Sequence, residues 1–231
     1  YGIPTESPVP VGFGTLQSTS SVDSIDRLSE ARSILESGGW KQSANGKWSK
    51  DIDDIETTLS ISLATANTES FERTANFLEE TWSKLGVEVS VSLFEQSDLV
   101  QAVIRPRDYQ ALLFGTDIGR TLDLYPFWHS SQRADPGLNV ALYTNLTTDE
   151  LLDQSRIERN ISIRQDLIRK SVEEIRTDYP AVFLYNPSFI YVIDKSIEIK
   201  KVKQINRASE RFVTIDDWYM KKEVVWPIFR E

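Results

Sequence analysis

The alternation of strand-like and helix-like segments between residues 59 and 114 constrains the fold of this chain more than any other feature. Leu59, Ile61 and Leu63 alternate with polar residues, which is typical of a half-buried strand. Similar reasoning predicts strands at 59–63, 87–93 and 109–114, and helices at 68–85 and 97–105. This order predicts an α/β lobe, with a mixed sheet of about five strands flanked by helices.

The predicted helix at 68–85 has the clearest core-facing stripe. Its apolar side chains recur at spacings of four and three residues, at Phe71, Ala75, Leu78, Trp82 and Leu85. Thr68 is placed to cap the start of this helix, and Gly86 is placed to end it. We therefore expect Leu78 and Trp82 to be core residues.

Shorter signals predict the neighbouring elements. A helix is expected to end at Gly38, and Asn45-Gly46 predicts a hairpin turn. Residues 115–145 show no period, and two helices are expected after them. The first is expected to open at Thr148. The second is expected to be capped by Ser162 and to carry an apolar stripe at Ile168, Val172, Ile175 and Tyr179.

The two ends of the chain show no clear period. Residues 1–20 are rich in Pro, Gly, Ser and Thr, so we expect a lead-in loop. The domain itself is expected to span 21–203, and residues 204–231 to form a separate terminal segment. The chain opens at Tyr1 rather than at a methionine, and we expect it to be an internal or C-terminal fragment of a longer protein.

Composition excludes several classes of protein. A net charge of −9 is the opposite of what a nucleic-acid-binding protein usually carries. The absence of cysteine excludes thiol catalysis, disulfides and thiolate metal sites. No apolar stretch is long enough to span a membrane, and no signal peptide opens the chain. His129 is the single histidine and cannot build a histidine-based metal site, so no metal and no cofactor are expected.

No arrangement of catalytic residues is evident in the sequence. The paired carboxylates Asp53-Asp54 and Asp216-Asp217 are adjacent along the chain, so their side chains diverge and are expected in solvent. The sequence has neither a G-x-S-x-G motif nor a G-x-x-x-x-G-K phosphate loop. We therefore do not expect an enzyme.

Asp117 is the strongest candidate for a ligand-binding residue. It follows the predicted strand at 109–114, and ligands of open α/β sheets bind beyond the carboxyl ends of the strands. A carboxylate there could pair with the α-amino group of a peptide, or it could cap a turn. Gly115 and Thr116 complete the candidate contact segment, because glycine lets the backbone approach a ligand closely. Trp128 could wall a side-chain pocket or belong to a small core under the loop.

A set of short motifs occurs in a particular order along the chain. They are a helix ending in Gly39-Trp40, the turn Asn45-Gly46-Lys47-Trp48, the junction Lys84-Leu85-Gly86-Val87, the strand and its extension at 109–117, and the helix end Asp178-Tyr179-Pro180 before an apolar run. In this order and spacing they resemble the C-terminal lobe of the extracytoplasmic solute-binding proteins that serve peptide and oligopeptide ABC importers (family 5).

This resemblance implies a parent protein whose two lobes clamp a peptide or similar solute outside the cytoplasm and deliver it to the permease subunits of an ABC importer. The N-terminal lobe would be missing here, and the segment from Phe212 to Trp218 resembles the one that returns to pack on it. We therefore expect the tail from Phe212 to Phe229 to expose an apolar patch. Many family members have Trp where this chain has Phe114, and an Asp-Pro pair where it has Leu122-Asp123. The resemblance thus implies solute binding rather than one particular peptide.

Other functions are compatible with the same sequence. A ligand-sensing domain of a regulator or receptor would reuse the same lobe. A hydrolase would need two acidic groups that face each other across a cleft. A structural interaction domain would need no small ligand.

Overall fold

The computed structural model describes residues 2–10, 27–119, 121–200, 202, 205 and 208–220. The chain divides into two compact units. Unit 1 comprises Tyr1–Ser20, Asp117–Ser130 and Ala141–Glu231, and unit 2 comprises Ser21–Thr116 and Ser131–Val140. Half of the expected lead-in loop, from residue 11 to residue 20, lies outside the described residues, as do Trp226 and Phe229.

The strands of the described residues are short, apart from two. In chain order they are β1 (Gly2–Pro4), β2 (Lys41–Gln42), β3 (Trp48–Ile52), β4 (Ile55–Thr58), β5 (Ser60–Ala66), β6 (Glu88–Phe94), β7 (Ala111–Leu113), β8 (Tyr185–Pro187), β9 (Ile197–Glu198) and β10 (Tyr219–Met220).

The helices differ widely in length. In chain order they are α1 (Arg27–Ser37), α2 (Glu69–Leu85), α3 (Gln96–Asp98), which continues as a π-helical segment (Leu99–Ile104), α4 (Tyr125–Trp128), α5 (Leu146–Ile157) and α6 (Ile161–Asp178). Short 3-10 turns lie at Ser130–Gln132, Ala208–Phe212 and Ile215–Asp217.

The body of unit 2 is a parallel sheet in the order β6-β5-β7. The central strand β5 pairs with β6 up to Ala66 and Phe94, and with β7 up to Thr65 and Leu113. Parallel neighbours need crossover connections, which α2 and the helical segment after β6 provide. The predicted α/β class is confirmed. The expected mixed sheet of about five strands is instead distributed over smaller sheets, because β2, β3 and β4 pair antiparallel among themselves.

Two turns of unit 2 agree with the sequence predictions. The hairpin turn predicted at Asn45-Gly46 joins β2 to β3, and Gly46 has a φ of 82°. Helix α2 ends at Gly86, whose φ is 98°. A Cβ added to Gly86 would lie 2.1 Å from the carbonyl oxygen of Gly46, so both the backbone angle and the close approach require glycine there.

The core-facing stripe of α2 is only partly covered. Ala75 and Leu85 are buried, whereas Leu78 and Trp82 are only partly buried. The expectation that Leu78 and Trp82 are core residues was wrong: the three-stranded sheet against which α2 packs leaves both side chains partly exposed. The fully buried tryptophan of this unit is Trp48, and its indole nitrogen donates a 2.7 Å hydrogen bond to the Leu85 carbonyl.

The body of unit 1 is built around α5 and α6, which pack against each other. Its buried apolar side chains are Val9, Ile118, Leu124, Trp128, Tyr143, Leu152, Ile168, Val172 and Ile175. This core draws on residues from the chain's beginning, its middle segment and its last third. It therefore forms only when distant parts of the sequence meet.

The helix ends of unit 1 correct three expectations. Asn145 caps α5 by accepting from the Thr148 amide, so Thr148 lies inside the helix rather than opening it. Asn160 caps α6 by accepting from the amide of Ser162, so Ser162 is not the cap. Tyr179 is 84% exposed and has a φ of 51°, because the helix ends there and turns its side chain away from the core. Asparagine competes well with serine at helix caps, which explains both misplaced starts.

Two short antiparallel pairs complete the described part of unit 1. β1 pairs with β8, and β9 pairs with β10. Among the described residues, no helix combines the length and the apolar character that crossing a membrane requires.

Candidate functional site

The carboxyl edge of the parallel sheet in unit 2 gathers the first residues after each strand. Asn67 follows β5, Glu95 follows β6 and Phe114 follows β7. Continued by one residue, the registers place Asn67 beside Glu95, and Phe114 beside Ala66, the residue before Asn67. The Asn67 side chain donates a 3.1 Å hydrogen bond to Oε1 of Glu95, and the Asn67 amide donates to the Phe94 carbonyl at 2.7 Å. Strand ends of open α/β sheets are the usual position of ligand sites.

Asn67 and Glu95 were not among the candidate site residues predicted from the sequence. Both are exposed polar residues that directly follow a strand. The same reasoning that singled out Asp117 could have found them, since each is the first polar position beyond an alternating apolar run.

The segment that follows β7 is exposed to solvent. Phe114 is 44% exposed, and Gly115 and Thr116 are exposed as well. A Cβ added to Gly115 would meet the Phe71 ring at 3.5 Å, an ordinary contact distance. Packing therefore does not require glycine at this position, and room for a close ligand is an alternative reason for it.

Asp117 is the first residue of the middle segment of unit 1. Its side chain is exposed, and its Oδ1 accepts a 2.9 Å hydrogen bond from the Gly119 amide. Gly119 has a φ of 63°, so the three residues form a tight turn closed by the aspartate side chain. Between them, Ile118 is only 7% exposed and lies in the core of unit 1. The carboxylate thus caps a turn and also faces solvent.

Trp128 belongs to the core of unit 1. It is 8% exposed, and its ring packs edge-on against Tyr143 and Phe183 at centroid distances of 6.1 and 5.7 Å. Its neighbours Tyr125 and Phe127 pack against the same core. Of the two interpretations of Trp128, as a pocket wall or as a core residue, burial favours the core residue.

His129 lies between two carboxylates of α5. Its Nδ1 is 3.9 Å from Asp149, and its Nε2 is 3.7 Å from Asp153. The imidazole stacks on Tyr125 at 4.1 Å, and the Arg156 guanidinium lies 4.4 Å from the centre of that tyrosine ring. The two carboxylates approach opposite ring nitrogens, so they do not converge on one point. In the described part of the chain, no group of three or more acidic or histidine side chains could hold a metal ion.

The acidic pairs singled out in the sequence are structural. Asp53 and Asp54 form the exposed turn between β3 and β4, with φ values of 52° and 63°. Asp217 pairs with Lys200 across 3.1 Å, and its neighbour Asp216 is exposed. Neither pair provides two carboxylates that share a proton.

Trp218 packs against aromatic side chains within this chain. Its ring lies 5.7 Å from that of Phe212 and 6.3 Å from that of Tyr191. Arg211 lies over both of these partner rings, at 4.3 and 5.1 Å. The next two residues, Tyr219 and Met220, are less well covered, at 60% and 58% exposed.

Comparison with known proteins identifies the fold. No protein-family model matches the sequence, and no curated protein sequence matches it. Solved structures do match. AppA from Bacillus subtilis, in complex with a nonapeptide, is 25% identical, with a TM-score of 0.66 over 84% of this chain and 37% of that chain.

Two further solved structures agree with this match. OppA from Haemophilus influenzae, in complex with the peptide RPPGFSPFR, is 17% identical, with a TM-score of 0.65 over 96% of this chain and 41% of that chain. NikZ from Campylobacter jejuni, in complex with Ni(L-His), is 18% identical, with a TM-score of 0.62 over 84% of this chain and 39% of that chain. The chain therefore spans well under half the length of these proteins.

The class that these neighbours define is the solute-binding protein. More particularly, the chain has the fold of part of the oligopeptide- and dipeptide-binding proteins of ABC importers, and the predicted resemblance to them is confirmed. AppA is described as an oligopeptide-binding protein, and DppA from Helicobacter pylori as an ABC transporter-associated periplasmic binding protein.

Proposed function

We propose that this chain is the C-terminal lobe of a solute-binding protein that captures a peptide, or a solute of similar size, for an ABC importer. The observation that carries the proposal is the match to AppA, which contains a nonapeptide and shares its fold with 84% of this chain. In this proposal residues 21–203 form the solute-binding lobe, and residues 204–231 pack on an N-terminal lobe elsewhere in the parent protein.

The carboxyl edge of the sheet supports the position of the ligand contact. Gly115, Thr116 and Asp117 are exposed and follow one of its strands. In the proposal, the backbone at Gly115 and Thr116 lines the ligand, and Asp117 binds its positively charged group. A carboxylate accepts about four hydrogen bonds, so the bond from Gly119 is compatible with an ammonium partner.

Binding in this proposal involves no chemical step. The lobes close around the solute, as in other hinged binding proteins, and the closed form is what the permease subunits recognise. A location outside the cytoplasm is supported by DppA from Helicobacter pylori, which is described as a periplasmic binding protein and has a TM-score of 0.64 to this chain. The proposal includes no enzymatic activity, no cofactor and no nucleic-acid partner.

Calorimetry with a mixed pool of short peptides tests the proposal. The full-length parent protein should bind peptides from the pool and leave them intact by mass spectrometry. The 231-residue chain alone should bind them weakly or not at all, because one lobe offers about half the contacts while the entropy cost of association remains. Hydrolysis of the peptides would contradict the proposal, and so would full-length protein that binds none of them. Sub-micromolar binding by the chain alone would contradict the two-lobe account.

Adding Ni(L-His) to the panel separates two kinds of solute. NikZ has this ligand and a similar fold, so the fold alone does not select peptides. If the full-length protein binds the nickel complex and no peptide, the solute-binding role stands, and the solute is a metal complex rather than a peptide.

A further inference from the structure

Among the described residues, the turn at Asp117 is held both by a hydrogen bond to the carboxylate and by burial of the next residue along the backbone. The first is the 2.9 Å hydrogen bond from the Gly119 amide to Oδ1 of Asp117, which limits rotation of the carboxylate. The second is Ile118, which lies between the two bonded residues and is 7% exposed in the core of unit 1. A surface aspartate without such anchors would sample several rotamers.

We propose that Ile118 is a positioning residue for the Asp117 carboxylate: its burial fixes the turn that holds the carboxylate toward solvent, and so sets how well a ligand ammonium is recognised. This inference rests on the proposed function, because it concerns the same ligand contact. Its basis is local geometry, and it assigns a recognition role to a residue that does not touch the ligand.

Burial alternates along the turn. Asp117 is exposed, Ile118 is buried and Gly119 is partly buried. Ile118 enters a core that also contains Leu124 and Trp128 from the same segment. The backbone at 118 therefore cannot rotate without withdrawing an isoleucine from that core. The direction of the Gly119 amide relative to Asp117 is set by the backbone angles of Asp117 and Ile118, so its bond to the carboxylate lasts only while the Ile118 backbone keeps its place.

Recognition of a charged group depends on such preorganisation. A carboxylate held in place forms a charge-assisted hydrogen bond without first losing side-chain freedom. A mobile carboxylate loses part of this advantage, even though its charge is unchanged. Removal of the Ile118 anchor should thus reduce the preference for a free amine more than it reduces binding in general.

The test on this chain measures hydrogen–deuterium exchange of individual amides by NMR. Ile118→Ala should speed exchange of the Gly119 amide by about tenfold relative to the Thr148 amide, which also bonds to a side chain in unit 1. Ile175→Ala is the matched control, since Ile175 is fully buried in the same core but lies on α6. It should destabilise the unit without changing that ratio. Ile118→Val, which retains most of the anchor, should restore the wild-type ratio.

The test of recognition uses the full-length protein and pairs of peptides with free or acetylated amino termini. Wild type should prefer the free amine, and Ile118→Ala should reduce this preference by about tenfold, while Ile175→Ala leaves it unchanged. An equal preference in the two alanine variants would overturn the inference. So would an unchanged Gly119 exchange ratio in Ile118→Ala.

Different results would contradict the proposed function and the positioning role of Ile118. If Asp117→Asn leaves free-amine binding unchanged, then Asp117 is not the contact and the function proposal loses its site. If Asp117→Asn weakens that binding but Ile118→Ala behaves like Ile175→Ala, the contact is retained and only the positioning role is lost.

Discussion

Tyr143 donates a 2.6 Å hydrogen bond to Oδ2 of Asp178, and thereby ties the segment before α5 to the end of α6. Asn145, the cap of α5, donates to the same oxygen at 2.8 Å. Burial raises the pKa of the Tyr143 phenol to about 12, and its hydrogen bond to Asp178 adds to the rise. The hydrogen bond from Tyr143 is the main cause that lowers the pKa of the Asp178 carboxyl, and the bond from Asn145 lowers it further.

The raised pKa of Tyr143 predicts a loss of stability in alkaline solution. An unfolded tyrosine releases its proton near pH 10, whereas the folded phenol retains it to about pH 12. The contribution of Tyr143 to stability is therefore complete below about pH 10 and is lost as the pH rises toward 12. The loss should reach at most about 3 kcal/mol, the equivalent of two pKa units. Urea denaturation between pH 8 and pH 11 measures it.

Tyr143→Phe checks the cause of this alkaline loss. The variant should be less stable by about 1–3 kcal/mol at pH 8, because the hydrogen bonds of the phenol to Asp178 and Thr148 are both removed, and its pH dependence above 10 should be flatter. Tyr179→Phe is the control, since Tyr179 is 84% exposed, and it should behave as wild type. An equally steep alkaline loss in Tyr143→Phe would assign the effect to another group.

Trp48 and Trp82 should differ in their contributions to folding. Trp48 is 1% exposed and its indole is hydrogen-bonded, so Trp48→Ala should cost about 3–5 kcal/mol. Trp82 is only partly buried, so Trp82→Ala should cost clearly less, although the helical stripe alone predicts a loss of similar size. Free energies of unfolding from urea denaturation give both values. A larger loss for Trp82 than for Trp48 would contradict the burial order.

Arg107 should hold the segment 131–140 of unit 2 in place. Its guanidinium donates to three carbonyls, those of Ile104 at 2.7 Å, Gly137 at 2.6 Å and Arg133 at 2.9 Å. Arg107→Lys keeps the charge but not the planar fork, and should cost about 1–3 kcal/mol while speeding hydrogen exchange in this segment. Arg169→Lys, which alters an exposed pair with Asp166, should have little effect. Unchanged exchange in Arg107→Lys would show that the segment is held by other contacts.

Asp117→Asn should weaken binding of free-amine peptides by the full-length protein. We expect a loss of about 2–5 kcal/mol, the range for breaking a desolvated charge pair. N-acetylated peptides should lose little, because they lack the positive charge. Paired calorimetric titrations provide the comparison. Equal affinity of variant and wild type for free-amine peptides would reduce Asp117 to a turn residue.

The end of the described chain should promote self-association of the isolated chain. Val213, Ile215, Tyr219 and Met220 are each more than half exposed, at 59%, 52%, 60% and 58%. Exposed apolar patches favour association, and light scattering should detect it. Met220→Lys should reduce this association, whereas Ile161→Lys, at an exposed position on α6, should not. A strictly monomeric wild-type chain would show that these exposed side chains do not drive association.

The sequence predicted the strands of the β6-β5-β7 sheet and helix α2 well because their signals are local, whereas the expected mixed sheet of about five strands is divided among smaller sheets. The period-two pattern around Ile61 and the glycine that ends α2 require no knowledge of the rest of the fold. The same local reasoning selected Asp117, which lies four residues beyond the end of β7. Local reasoning failed where burial is set by partners elsewhere: Trp82 lies on the apolar stripe of its helix, and only the structure shows that it is partly exposed.

The candidate site shows the same division. The sequence identified the exposed segment from Gly115 to Asp117, but it left two interpretations of Trp128 open. Packing against Tyr143 and Phe183 favours the core interpretation, and these residues lie 15 and 55 positions further along the chain. Ile118 is adjacent to Asp117 in sequence, yet its burial could not be predicted either. It lies between residues 115 and 145, where the sequence shows no helical or strand period.

The pairing of β1 with β8 has a consequence for biosynthesis. Residues 2–4 meet residues 185–187, whereas the last segment of unit 2 ends at Val140. On a ribosome that adds about 5–20 residues per second, unit 2 has its whole sequence several seconds before β8 exists. Unit 2 can therefore finish folding first, while β1 emerges early and waits without its partner. During that interval a chaperone that binds extended segments would meet Gly2–Pro4 unpaired, and strand exchange between neighbouring nascent chains would have its best opportunity.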